Sequence, residues 1–269
     1  MTQFGNEVRT ALMVWRRELI RFTRSPARVI TGFVQPILLL FVLGYGLGKL
    51  VPGYQQFIFP GAVAMNVITT AIFSGVSIVW DREFGFLREM LVAPVSRSSI
   101  LAGKVLGGAV VATLQGCLIL VLAPVVGVSL GFVAILQFLG GALLMAVSLT
   151  AFGVFVASRM KKIDGFQAVM QFLLFPMIFL SGSQFPLQDV PLWLAALNRL
   201  DPLTYAVDPL RRILLDPANL APDLATLSQR SQVQFFGETI PMWSEFVAMA
   251  LFAALFFGLA VLSFRKAEQ

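Results

Sequence analysis

Residues 132–157, FVAILQFLGGALLMAVSLTAFGVFVA, run for 26 positions without a charged side chain. A helix that crosses a bilayer needs about 20 mostly apolar residues, so this stretch reads as a membrane span. Just before it, residues 100–123 read ILAGKVLGGAVVATLQGCLILVLA, with Lys104 as their one charge. Only Val125–Gly131 separates the two, which predicts a tight helical hairpin. Working outward, Val29–Leu47, Phe57–Val79, Phe166–Gly182 and Trp243–Phe264 have the same character. The expected fold is therefore an all-α polytopic membrane protein with six transmembrane helices. The fifth, which holds Pro176, is the shortest. No segment has the pattern of a cleavable signal peptide.

Composition agrees. Of 269 residues, 58% are hydrophobic and 13% charged, against about 45–50% and roughly 25% in soluble domains. The absence of His excludes His-ligated metal sites, Ser-His triads and imidazole relays. A single Cys, Cys117, lies inside an apolar run, so disulfides and thiolate clusters are excluded too. The net charge of +6 does not point to nucleic acid, because the basic residues flank apolar runs and form no aromatic-interleaved patch.

Fifteen of the 20 Lys and Arg fall on one side of this topology, beginning with six Arg between Arg9 and Arg28. The positive-inside rule then predicts that both termini are cytoplasmic and that residues 183–242 are external. Lys104 is expected to snorkel to the cytoplasmic surface.

Residues 4–24 form an amphipathic stripe. Phe4, Val8, Ala11, Leu12, Trp15, Leu19 and Phe22 recur at helical spacing with Arg on the other faces, as expected of an interfacial helix meeting membrane lipid. Pro26 breaks it. After the second span, residues 81–92 predict a short cytoplasmic helix, with Asp81 able to cap its start and Phe84, Leu87 and Leu91 on one face. Its apolar face suits either an interfacial anchor or a groove on a soluble partner. In the external segment, Asp-Pro at 201–202, 208–209 and 216–217 reads as helix-start punctuation. Short re-entrant or interfacial helices are expected there, Pro209–Leu215 the last, with Arg211 and Arg212 at the outer headgroup layer. Residues 218–240 read as an ordinary loop.

Several chemistries are missing. Gly103-Lys104 is the nearest approach to a phosphate-binding loop, but Ser98 and Val105 stand where Gly and Ser or Thr are needed. Ser74-Gly75 lacks the Gly of a nucleophile elbow. The span centres carry no acid or base, which disfavours a self-contained ion relay. Their polar residues are uncharged, and Gln35, Asn66, Thr69, Thr70, Gln167 and Gln171 are the candidates for a substrate route. Such a transporter takes its energy from another chain, or is a passive channel or membrane scaffold.

The order of these pieces resembles a known family. The amphipathic helix, the six spans, the loop Asp81-Arg82-Glu83-Phe84-Gly85-Phe86-Leu87-Arg88-Glu89 running on to Pro94, and the outer motifs Asp201-Pro-Leu-Thr-Tyr205 and Asp208-Pro-Leu-Arg211 together are similar to ABC-2 type permeases of bacterial ATP-binding-cassette exporters. The resemblance implies a single transmembrane domain over residues 1–269 in the bacterial plasma (inner) membrane. It implies that Asp81–Glu89 dock on an ATPase subunit, which favours the partner groove over the anchor, and that ATP and Mg bind that subunit and not this chain. It implies pairing with a second permease, identical or not, through the first and fifth spans. Gly44, Gly48, Gln171 and Pro176 are the interface candidates. The implied activity is export of an amphipathic or hydrophobic drug, lipid or glycolipid. Two departures stand out: Asp201 replaces a common Asn, and residues 218–240 are longer than in compact members.

Overall fold

A computed structural model describes residues 3–48, 53–86, 96–187, 190–215, 222–235 and 238–266. Six helices in it are long and apolar enough to cross a membrane: Val29–Gly48, Tyr54–Glu83, Arg97–Leu120, Phe132–Arg159, Ile163–Leu180 and Met242–Phe264. These spans, one to six, match the six apolar runs of the sequence. A two-residue antiparallel ladder, Gln234–Phe235 with Glu238–Thr239, accompanies them.

Spans two and three are the centre, each 72% buried, whereas spans one, five and six are buried over only 17–22% of their apolar windows. Close approach at the centre depends on glycine. A methyl group on Gly75 of span two would lie 2.6 Å from the backbone carbonyl carbon of Gly153 in span four, so the two helices cross at their bare backbones. Span two also breaks there, into Tyr54–Ser74 and Val76–Glu83. Span one carries Pro36 and passes into a π-helical turn at Leu39–Leu43, as expected where a proline removes a ladder hydrogen bond.

The N-terminal helix, Gln3–Thr23, packs against the bundle. A Cβ on Gly103 would meet Val14 at 2.7 Å, and one on Gly107 would meet Glu18 at 2.8 Å. The helix is thus seated along span three, with Phe22 buried, while Val8 and Leu12 stay exposed on its outer side.

Between spans five and six the chain forms Leu192–Leu200, Thr204–Leu214 and Pro222–Arg230. The first exposes Leu192, Trp193 and Leu200, as an interfacial helix does. The second is wedged against spans two, four and six. Three sequence expectations need correction here. Asp208-Pro209 does not start a helix but sits inside Thr204–Leu214, because burial of this segment outweighs the hydrogen bond that Pro209 cannot make. Arg211 is not at a headgroup layer but 1% exposed. Residues 218–240 are no simple loop, since they contain the helix at 222–230 and the ladder. Asp216-Pro217 lies outside the described residues.

A candidate substrate cavity and its flanking charge clusters

The polar residues of the spans converge. Gln35 of span one, Asn66, Thr69 and Thr70 of span two, and Gln167 of span five line one cavity of about 350 Å3, together with Thr31, Gly32, Phe73, Ser74, Val76, Val111 and Gln115. Five of the six route candidates therefore meet in one place. Gln171 does not line it and is exposed one turn further along span five.

Pro36 explains how the cavity is wired. Having no N–H, it leaves the carbonyl of Gly32, four residues back, without its helical partner. Asn66 Nδ2 donates to that carbonyl at 2.7 Å. A freed backbone acceptor inside a membrane needs such a partner, so span one's kink and span two's amide are a matched pair. Gln115 Nε2 lies over Gly32, where any side chain would collide with it. Its Oε1 accepts from Thr70 Oγ1 at 3.1 Å.

The interface candidates separate. Gly44 is packed within the chain, since a Cβ there would meet Gln55 Cγ at 2.6 Å. Gly48 has open space around it, and Gln171 and Pro176 are exposed on span five beside Phe172, Phe175 and Phe179.

At the end that carries the N-terminal helix is a buried cluster absent from the sequence reading. Lys104 Nζ donates to Asp81 Oδ2 at 2.6 Å and to Ser77 Oγ at 3.1 Å, and lies 3.7 Å from Glu18 Oε1. Arg17 Nη2 reaches the same Asp81 oxygen at 3.0 Å. Lys104 is only 3% exposed, so it does not snorkel: its charge is met inside the bundle instead of at the surface. The spacing Gly103-x-x-x-Gly107, a close-packing signal beside Lys104, was the clue to this seat.

That geometry revises the loop residues. Asp81 caps no separate helix: with Arg82 and Glu83 it forms the last turn of span two. Arg82 donates to the carbonyls of Met160 and Ser158 at 2.6 and 2.9 Å, closing the end of span four. Glu83 accepts from the N–H of Ile163 at 3.0 Å, capping the start of span five. Gly85 then turns the chain at a φ of 83°, and Phe84 and Phe86 are exposed. Leu87, Arg88 and Glu89 lie outside the described residues.

Comparison with known proteins decides the family. Residues 10–215 match the model of the ABC-2 type transporter. This chain belongs to the ABC-2 type transporter family. It is 30% identical over 205 residues to a protein described as transport permease ycf38 of Cyanophora paradoxa, covering 73% of this chain and 71% of that one. Nodulation protein J of Rhizobium leguminosarum bv. viciae is 26% identical over 212 residues, 76% of this chain and 82% of that one. The protein described as multidrug ABC transporter permease YbhR of Escherichia coli (strain K12) is 29% identical over 170 residues, 62% of this chain and 46% of that one. The ABC-2 chain is accordingly a multi-pass membrane subunit of an ABC transporter, and its family implies association with an ABC ATPase subunit.

At the opposite end of this permease a second cluster holds the helix Thr204–Leu214. Arg212 pairs with Asp208, at 3.1 Å through Nε, and with Glu245 of span six at 3.3 Å. Asp208 also accepts from the N–H of Val233 at 2.9 Å, so the helix, the ladder and span six share one knot. Arg211 Nη2 donates to the carbonyls of Gly182 and Ser183 at 2.6 and 3.2 Å, with the guanidinium 4.8 Å from the ring centre of Phe57. Burial pulls its pKa down to about 10, which still leaves it charged at neutral pH.

Asp201, 5% exposed, accepts from the N–H of Leu203 through Oδ1, and its Oδ2 has no partner among the described residues. Burial pushes its pKa up to about 7 against the opposing pull of that N–H. A carboxyl whose folded pKa lies above its unfolded value of about 3.9 favours the fold when protonated, so stability falls as pH rises from about 4 through 7. Asp201→Asn is therefore expected to raise the thermal unfolding midpoint of the detergent-solubilised protein at pH 8 by several degrees. The gain should shrink steadily as the pH is lowered and be small at pH 4.5.

Proposed function

We propose that this chain is the transmembrane subunit of an ATP-driven exporter in the bacterial plasma membrane, with both termini cytoplasmic and residues 183–242 external. It would pair with a second permease, identical or related, and carry an amphipathic or hydrophobic substrate. ATP and Mg would reside on the ATPase subunit. The observation that carries the reading is the polar cavity: its rim residues Gln35 and Gln167 are exposed on spans one and five, two of the three spans that the bundle leaves least covered. Polar side chains in a membrane are costly against lipid, so a partner chain or a passing substrate is their natural complement. The excess of Lys and Arg at the N-terminal-helix end supports the orientation.

Phe84 and Phe86, exposed beyond the last turn of span two, would begin the ATPase-docking surface. Reversing the charge of Glu83 would confound a test of docking, because Glu83 caps span five. Phe84→Asp with Phe86→Asp is the cleaner variant. Co-expressed with an ABC ATPase subunit, it is expected to lose at least about 90% of ATPase co-purification, the effect of removing an interface centre worth roughly 2 kcal/mol. Membrane insertion and yield should be unchanged. Undiminished co-purification would refute docking through this end, as a passive channel or scaffold would predict.

A further inference from the structure

The cavity's hydrogen bonds are unevenly spent. Thr69 donates to the carbonyl of Met65 at 2.7 Å, Ser74 to that of Ala71 at 2.6 Å, and Thr70 to Gln115. Asn66 gives its amide to Gly32. The lining's hydroxyl protons are thus committed inside the protein, while a hydroxyl oxygen keeps two acceptor lone pairs. Asn66, only 5% exposed, has its Oδ1 without any partner among the described residues. Among the described residues, no Lys or Arg lines the cavity.

From this we infer that the cavity selects amphipaths whose polar group donates hydrogen bonds and carries no negative charge, such as an ammonium or a polyhydroxyl group, and rejects phosphates and sulfates. The inference rests on the reading of the cavity as a substrate route. A donor group matches the threonine and serine oxygens of the lining, with Asn66 Oδ1, buried beside them, as a further acceptor. An anion would surrender its hydration to a lining whose hydroxyls offer it lone pairs, with donors only on the side-chain amides of Gln35, Gln115 and Gln167 and the second N–H of Asn66.

The test uses the full chain in lipid nanodiscs. With Cys117→Ala, a cysteine is placed in the cavity by Val76→Cys and its maleimide labelling rate is measured. Dodecylamine, dodecyl maltoside and dodecyl phosphate share one tail and differ in the polar group. A reference variant, Phe172→Cys on the exposed face of span five, corrects for partition into the disc. The amine and the maltoside are expected to slow cavity labelling about tenfold, and the phosphate by less than about twofold. Gln35→Arg, which adds a cation at the exposed rim, should confer protection by the phosphate, and Asn66→Leu should weaken protection by the amine. Equal protection by all three amphipaths, protection by none, or preference for the phosphate overturns the inference. The ATPase co-purification assay is read separately: if it succeeds while the phosphate is preferred, only the selectivity falls. If it fails, the transporter reading falls whatever the cavity prefers.

Discussion

Asp81→Leu is expected to destabilise the protein by about 3–5 kcal/mol, because it strands a buried ammonium. Lys104 would keep Ser77 and the more distant Glu18, but lose its 2.6 Å partner in a setting where its side chain is 1% exposed. Asp81 also receives Arg17, so the same substitution loosens the N-terminal helix from span two. Adding Lys104→Met to Asp81→Leu should restore most of the loss, since an apolar pair of similar size removes the unpaired charge. Equilibrium unfolding in sodium dodecyl sulfate, followed by tryptophan fluorescence, measures both variants. A double variant no more stable than Asp81→Leu alone would show that the cluster is not the source of the effect.

The second large effect is at the other end. Arg211→Met should cost roughly 2–4 kcal/mol, as two backbone carbonyls lose a charged donor in a buried site. The substitution also removes the cation above Phe57 and frees the turn at 181–184, which packs so closely on span two that Gly61 has no room for a side chain. Arg211→Lys keeps the charge but not the fork, and an intermediate loss is expected. The same unfolding assay ranks the three proteins. Limited proteolysis of the 183–242 segment should accelerate in the same order.

Hydropathy located all six spans because lipid imposes a demand that each span meets alone: length and apolarity. Thr69, Thr70, Asn66, Gln35 and Gln167 could be chosen for the same reason, since an uncharged polar group in a span needs a partner. What a single span cannot reveal is where its partner lies. Lys104 and Arg211 look like surface cations in the sequence because neither has an acid within four residues of it, apart from Asp208, which serves Arg212. Their partners are Asp81, 23 residues away, and the carbonyls of 182 and 183. The match of Pro36 with Asn66 through Gly32 shows what was readable: a proline names the orphaned carbonyl, but the amide that reaches it comes from the next helix. Asp81, Arg82 and Glu83 look like the start of a charged helix, while each ties the end of span two to a neighbouring span.

In the proposed function this ABC-2 chain works as one of two paired permeases driven by ATPase subunits. Native mass spectrometry of the chain co-expressed with an ABC ATPase subunit in lipid nanodiscs, with ATP turnover measured on the same sample, tests it most directly. The expected result is a complex of two permease and two ATPase chains that hydrolyses ATP, and a permease that hydrolyses none by itself. A single permease chain with no bound ATPase, or ATP hydrolysis by the isolated chain, would contradict it.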